Sequence, residues 1–408
     1  MHFLRGAVQT YAWGSHAAIA NFIGQPLPKI YPEAELWFGA HPIDPAWLQT
    51  ENGEVSLLQA INDNPKKQLG DATISRFGNK LPFLVKVIFA DTPLSLQVHP
   101  SIIQAKEGFN REERLSIPIS SPVRNYRDCS HKPELLIALE NFDVLAGFRP
   151  IDHTVKFLCA LAVNDLNPFI NLLSHQSDTK GLRTLFTTWL TSTQTDLDRL
   201  TSAVLDRAIQ YIYSGNKEFE ANVKAVVKLG KHYPGDPGVL AALLLNHISL
   251  LPGESIYLPT GTLHVYLHGV GVEIMTNSDN VLRGGLTPKY VDIPELLRIS
   301  DFIPKLEDEL QPKIAKYEEN LIYQTPVEEF EVSVLSFNKN HIGNLIDLNC
   351  NRTGPQLLLC TQGGAVIYAN GRQLEIARGL AVWLTAEENL IQLVATKPTK
   401  LFRITTGI

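Results

Sequence analysis

The sequence predicts a mainly β chain, built as jelly-roll barrels with an α-helical domain inserted between its strand-rich parts. Three observations predict it. Short apolar runs punctuated by Pro, Gly and Asp fill the chain from Phe3 to about Pro150 and return after Ile248, which is how strands separated by turns read. Leu94, Leu96 and Val98 alternate with Ser95, Gln97 and His99, a period of two that gives one strand an apolar and a polar face. Between the strand-rich parts, Leu182, Leu185, Phe186, Trp189 and Leu190 recur at the spacing of a helix with one buried face.

Residues 1–150 are expected to supply the N-terminal strands of a first barrel, through runs such as LPFLVKVIFADTPLSLQVHP and HKPELLIALENFDVLAGFRP. Residues 151–247 are expected to form the helical insert. The stretches 154–164, 197–213 and 217–230 share its periodicity, and KHYPGDPG interrupts it near its end, because two prolines and two glycines in five residues cannot continue a helix. Residues 248–319 return to strands and complete the first barrel. Residues 320–408, with LLLCTQGGAVIYANGRQLEIARGLAVWLTAEENLIQLV, are expected to form a second one. PGESIYLPTGTLH in the earlier part sets a histidine after its turn, whereas ARGLAVWLTAEENLIQLV has the turn and strands without it. The second barrel is therefore expected to hold no metal.

Composition excludes several classes. A chain of 408 residues at ~100–200 per domain has room for two or three domains. Its 36 Lys+Arg against 42 Asp+Glu leave a net charge of −6, with no basic cluster longer than a pair, so no nucleic-acid partner is expected. No apolar stretch approaches the roughly 20 residues of a membrane span, and MHFLRGAVQTYAWGSHAA has no secretory apolar region. Cys129, Cys159, Cys350 and Cys360 show no CxxC spacing. They are expected as reduced, buried small hydrophobes in a cytoplasmic protein. There is no GxSxG, and GGLTPK lacks the spacing of a phosphate-cradling loop.

Metal ligands need convergent lone pairs, and a strand supplies two on one face at i and i+2. Gln97 and His99 are so placed, Glu134 opens the apolar run ELLIAL, and PTGTLH delivers His264 shortly after a glycine turn. Ser95 shares the polar face of Gln97 and His99. Lys86, inside PFLVKVIF, needs an anion or a route to water. His16, His41 and His268 are read as structural.

Together, LPFLVKV, LSLQVHPS, HKPEL, PTGTLHVYL and SDNVLRGGLTPKY, preceded by VQTYAWGS and AELWFGAHP, resemble the type I mannose-6-phosphate isomerases, a family of the cupin superfamily. The resemblance runs in order over essentially the whole chain. It implies one zinc ion per chain on Gln97, His99, Glu134 and His264, with manganese, cobalt or iron as the other metals such a barrel accepts. It implies reversible exchange of mannose 6-phosphate and fructose 6-phosphate by proton transfer between C1 and C2 through an enediol(ate). Arg283 matches the family's active-site arginine, suited to steady the oxyanion because guanidinium keeps its charge. Glu273 and Lys132 are the expected proton carriers, with His131 as a further partner. Lys86, Ser95, Asp279 and Lys289 are the expected substrate contacts. The expected partner is a small-molecule sugar phosphate, with no membrane, and the chain is expected to act as a monomer. A different cupin enzyme, such as an oxidising iron enzyme, and a non-catalytic sugar-phosphate binder are the competing readings. The Gln ligand and the Lys/Arg-rich surroundings argue against the iron enzyme.

Overall fold

A computed structural model describes residues 1–27, 29–348, 354–388 and 390–408. It is mainly β-sheet with helices, as expected. One long strand, His264–Thr276, organises the first half. Its start pairs with Leu96–Val98 and Phe142–Phe148, setting His264 opposite Gln97 and Ala146. Its end pairs with Phe83–Ala90 on one side, Glu273 opposite Lys86, and with Glu134–Ala138 on the other, Met275 opposite Glu134. The strand passes between partners at a register shift between Tyr266 and His268. Gly269 follows at φ +136, where an added Cβ would lie 2.7 Å from the Asn141 carbonyl oxygen. A bulge followed by glycine lets one strand serve two sets of neighbours. Leu282–Gly285 then pairs with Leu96–Val98 and sets Arg283 opposite Gln97. These strands belong to one ten-stranded sheet.

Helices follow between Phe142–Phe148 and Leu245–Leu250. The predicted periodicities correspond to Ile151–Leu161, Thr179–Leu190, Gln194–Tyr213 and Glu220–His232. Leu182, Leu185, Phe186, Trp189 and Leu190 are all buried. Phe186 packs edge-on against Phe148 of the sheet at 5.6 Å and against Phe302 at 5.7 Å, so helices and sheet share apolar core. The PGDP turn leads into one more short helix, Pro237–Ala241. From that turn the Asp236 carboxylate accepts the backbone N–H of Leu286 at 2.8 Å, which ties the helices to the end of the Arg283 strand.

Among the described residues, the C-terminal strands lie in a four-stranded sheet and in a nine-stranded sheet that also takes in three N-terminal strands, with Leu358, Ile367, Ile376, Val382, Leu393 and Leu401 in a common core. Sheet pairing crosses the boundary expected at residue 150. His2–Arg5 pairs with Ala381–Leu384 and with Trp47–Thr50, so these N-terminal strands join the C-terminal sheet. Strand texture alone also misses the helices Leu57–Asp63, Pro65–Phe77 and Ile102–Arg114. Their caps are written in the sequence: Ser56 and Asn64 accept from the N–H three residues on, and Ser101 with Gln104 makes a reciprocal capping box. The cysteine expectation is corrected in part. Cys360 is buried, but Cys129 and Cys159 are exposed, each a thiol that the surrounding packing leaves at the surface, and Cys350 lies outside the described residues. No helix among the described residues is long and apolar enough to cross a membrane.

Candidate metal centre and active site

Strand register brings His99, Glu134 and His264 together, and all three are buried. One ligand atom from each lies within 4.8 Å of the others. His99 Nε2 is 3.3 Å from Glu134 Oε1, and His264 Nε2 is 3.4 Å from Glu134 Oε2. His99 Nδ1 meets the Asn280 carbonyl at 2.8 Å, and His264 Nδ1 meets the Thr262 carbonyl at 3.0 Å. A carbonyl only accepts, so each Nδ1 must donate, which leaves each Nε2 aimed at the carboxylate. His99 Nε2 is buried with no hydrogen-bond partner. Lone pairs facing lone pairs at this distance repel unless a cation lies among them.

The electrostatics agree with that donor set. Burial, with the nearby Lys132 charge, pushes His99 down to about 4 against the pull of Glu134. The ring is therefore neutral near pH 7. Burial alone would raise Glu134, but the histidines and Lys132, whose Nζ is 3.3 Å from Oε1, hold it well below the usual carboxylate range. An ionised carboxylate beside the neutral His99 imidazole is the protonation state a divalent metal requires. Gln97, half-buried, sits in register between His264 and Arg283.

The remaining predicted residues divide into two groups. Lys86 is buried, 3.3 Å from Glu273 Oε2 and 3.7 Å from Glu35 Oε2. Burial works against its charge, yet Glu35 and Glu273 outweigh burial and raise its affinity for the proton. The structure thus places an internal pair of carboxylates beside the Lys86 ammonium. Glu273 also accepts the Tyr266 hydroxyl at 2.8 Å, and burial, reinforced by Glu134, raises it above the usual carboxylate value despite Lys86 and Lys132. His131 is drawn away to Glu329 Oε1 at 2.7 Å. Asp279 pairs with His41 at 3.2 Å. His16 and His268 are exposed.

Arg283 is different, being half-buried with no ion pair among the described residues. Burial, and then the Arg127 charge, lower its pKa. Lys289 is lowered by burial and by Arg283 and Arg127. Ser95 stands half-buried just before the Gln97 strand. Sequence reasoning missed Glu35, Tyr266, Arg127 and Asn280. Asn280 lies inside the motif SDNVLRGGLTPKY and Arg127 just upstream of HKPEL, where neighbouring residues drew the chemistry.

Residues 1–151 match the family model "Phosphomannose isomerase type I, catalytic domain". The chain is 37% identical to mannose-6-phosphate isomerase of Salmonella typhimurium over 97% of both chains, and 36% identical to that of Escherichia coli over 95% of this chain and 96% of the other. The Bos taurus mannose-6-phosphate isomerase is 32% identical over 97% of this chain and 96% of its own. Among solved structures, a mutant of phosphomannose isomerase from Salmonella typhimurium matches with a TM-score of 0.90 and 35% identity over 100% of both chains. A zinc-bound mannose 6-phosphate isomerase matches with a TM-score of 0.89 and 35% identity over 100% of this chain and 99% of that one.

Proposed function

The chain belongs to the type I phosphomannose isomerase family, and from that premise we propose that it interconverts mannose 6-phosphate and fructose 6-phosphate at a zinc site formed by Gln97, His99, Glu134 and His264. The observation that carries the reading is the unpartnered, buried His99 Nε2 facing an ionised carboxylate. Two imidazoles, one carboxylate and one amide suit zinc and leave a position for substrate. The ion, when bound, supplies Lewis acidity toward the sugar's carbonyl and hydroxyl oxygens. We read the surrounding strands as a cupin barrel and the C-terminal sheets as a second, metal-free one.

The chain's own residues divide the rest of the chemistry. Glu273 takes the proton from C2; the C–H electron pair forms the C1–C2 double bond, and the carbonyl pair moves to O1. The same carboxyl then returns that proton to C1 as the O2–H bond breaks, its electron pair forming the C2 carbonyl and its proton passing to O1. Tyr266 and Lys86 hold Glu273 in place, and its raised pKa suits a group that gains and loses a proton. Lys132, beside Glu134, adds a fixed positive charge near the developing oxyanion. Arg283, opposite Gln97 in register and without an ion pair among the described residues, steadies that oxyanion from the other side. Ser95 and Lys289 engage the phosphate, and Asp279, oriented by His41, takes a sugar hydroxyl.

A coupled assay of fructose 6-phosphate formation tests the proposal on protein as purified, after chelation, and after zinc is restored. Activity is expected to fall by about a hundredfold or more on chelation and to return with zinc. Full activity in protein shown to be metal-free would refute it.

A further inference from the structure

Arg283, Lys289 and Arg127 lie near enough for their charges to act on one another, Arg127 on Arg283 and both arginines on Lys289. Among the described residues none of the three makes an ion pair; Arg127 and Lys289 are exposed and Arg283 is half-buried. Their convergence follows from backbone geometry. Asn280 is fully buried, and its side-chain oxygen accepts the backbone N–H of Arg127 at 2.7 Å and of Asp128 at 3.2 Å. Its amide nitrogen donates to the carbonyls of Asp128 at 2.8 Å and Ser130 at 2.9 Å. In return, the Asp128 carboxylate accepts the Ser278 hydroxyl at 2.9 Å and the Asp279 N–H at 2.8 Å. The segment bearing Arg127 is therefore clasped to 278–280, three residues before Arg283. The same Asn280 presents its own carbonyl to His99 Nδ1. The carboxylates nearby are already engaged, Asp128 by Ser278 and the Asp279 N–H, and Asp279 by His41 at 3.2 Å.

Unpaired like charges repel, and holding them together by a buried clasp is unfavourable unless an anion joins them. We propose that Arg127 is a specificity-determining residue of this chain, a cation that joins Ser95 and Lys289 in receiving the phosphoryl group of the substrate. The inference rests on the isomerase reading for the identity of the substrate, not for the anion site itself. A phosphate dianion matches three donors better than two, because a guanidinium offers paired N–H groups to two of its oxygens. Arg127 lies on the segment leading to the ligand Glu134, so the clasp fixes the phosphate at a set distance from the reacting carbons. Its contribution belongs to substrate binding and not to the proton transfer.

The test compares wild type with Arg127→Ala, Arg127→Lys and Arg127→Glu as zinc-loaded full-length chains. For mannose 6-phosphate, KM is expected to rise about tenfold in the alanine variant and further in the glutamate variant, with kcat within about threefold of wild type. Arg127→Lys should recover most of the loss. Inhibition by inorganic phosphate should weaken by the same factor, while zinc content and melting temperature stay at wild-type values. Unchanged KM and unchanged phosphate inhibition would overturn the proposal, as would a loss confined to kcat or accompanied by loss of zinc. If wild type turns over no mannose 6-phosphate, the isomerase reading fails by itself. Calorimetric binding of inorganic phosphate to wild type and Arg127→Glu then still decides the anion site, with equal affinities counting against it.

Discussion

Lys86 shows how a single residue in an apolar strand reports on what surrounds it. All eight residues of Phe83–Ala90 are buried, and an ammonium there needs compensation because an isolated buried charge is strongly disfavoured. Glu273 and Glu35 provide it, and the Trp37 ring, 5.2 Å from Nζ, adds a cation–π face. Trp37 in turn donates its indole N–H to Glu35 at 2.6 Å. Lys86→Met keeps the length of the side chain but leaves two carboxylates facing each other. Its expected effect is a loss of about 3–5 kcal/mol of stability near pH 7 in urea unfolding, together with lower turnover, since Glu273 loses the group that holds it. A variant as stable as wild type would show that the carboxylates find another counter-charge.

At the scale of elements, the segment 115–131 is held down by charged contacts more than by apolar packing. Glu112 of the Ile102–Arg114 helix pairs with Arg124 at 3.0 Å and accepts the backbone N–H of Tyr126 at 2.9 Å. Tyr126 lies across Gly108, where an added Cβ would stand 2.3 Å from its ring, so only glycine admits it. Its hydroxyl joins Arg111 and Arg298 on the carboxylate of Glu295, in the short helix Ile293–Ile299. Burial alone would raise Glu295, but these three donors bring it down to about 2. A carboxylate depressed in the folded state stabilises above its unfolded value and loses that contribution as pH falls toward the folded one. Between about pH 4.5 and pH 2 the clasp should therefore weaken, at a cost on the order of 2 kcal/mol after allowance for solvent screening. Glu295→Gln should be less stable than wild type by that order at pH 7 and nearly level with it at pH 2.5. Melting curves at both values check this, and a difference that ignores pH would sink it.

The same segment marks the limit of what the sequence discloses. The polar face of Gln97 and His99, the helix through Leu182–Leu190 and the His264 turn are local patterns, each set by a period or a spacing, and they were legible. Whether a charge is free or paired is decided across strands. Lys86 and Lys289 look alike as sequence, yet register puts one opposite Glu273 and leaves the other beside two arginines. Arg127 was missed for that reason, because its importance arises from Asn280, 153 residues away.

At the scale of the molecule, the metal-bearing half and the C-terminal sheets share an apolar core. Phe83, Val85, Val272 and Ile274 from the first pack in one cluster with Leu357, Trp383, Phe402 and Ile404 from the second. Trp383 is fully buried and donates its indole N–H at 2.8 Å to Gln68, on the helix Pro65–Phe77. The chain also weaves the halves together, since the strand His2–Arg5 lies between Ala381–Leu384 and Trp47–Thr50. Neither half can expose this cluster without stripping the other, so the two should unfold as one unit even though only one carries the candidate zinc ligands. Trp383→Ala removes a large buried side chain and leaves Gln68 unpaired, at an expected cost of roughly 3–5 kcal/mol. In calorimetry of the zinc-loaded protein, the variant should keep a single transition at a lower midpoint, and added zinc should raise that midpoint although the substitution lies in the C-terminal sheets. Two resolved transitions, with only the first responding to zinc, would show instead that the sheets fold independently and merely touch.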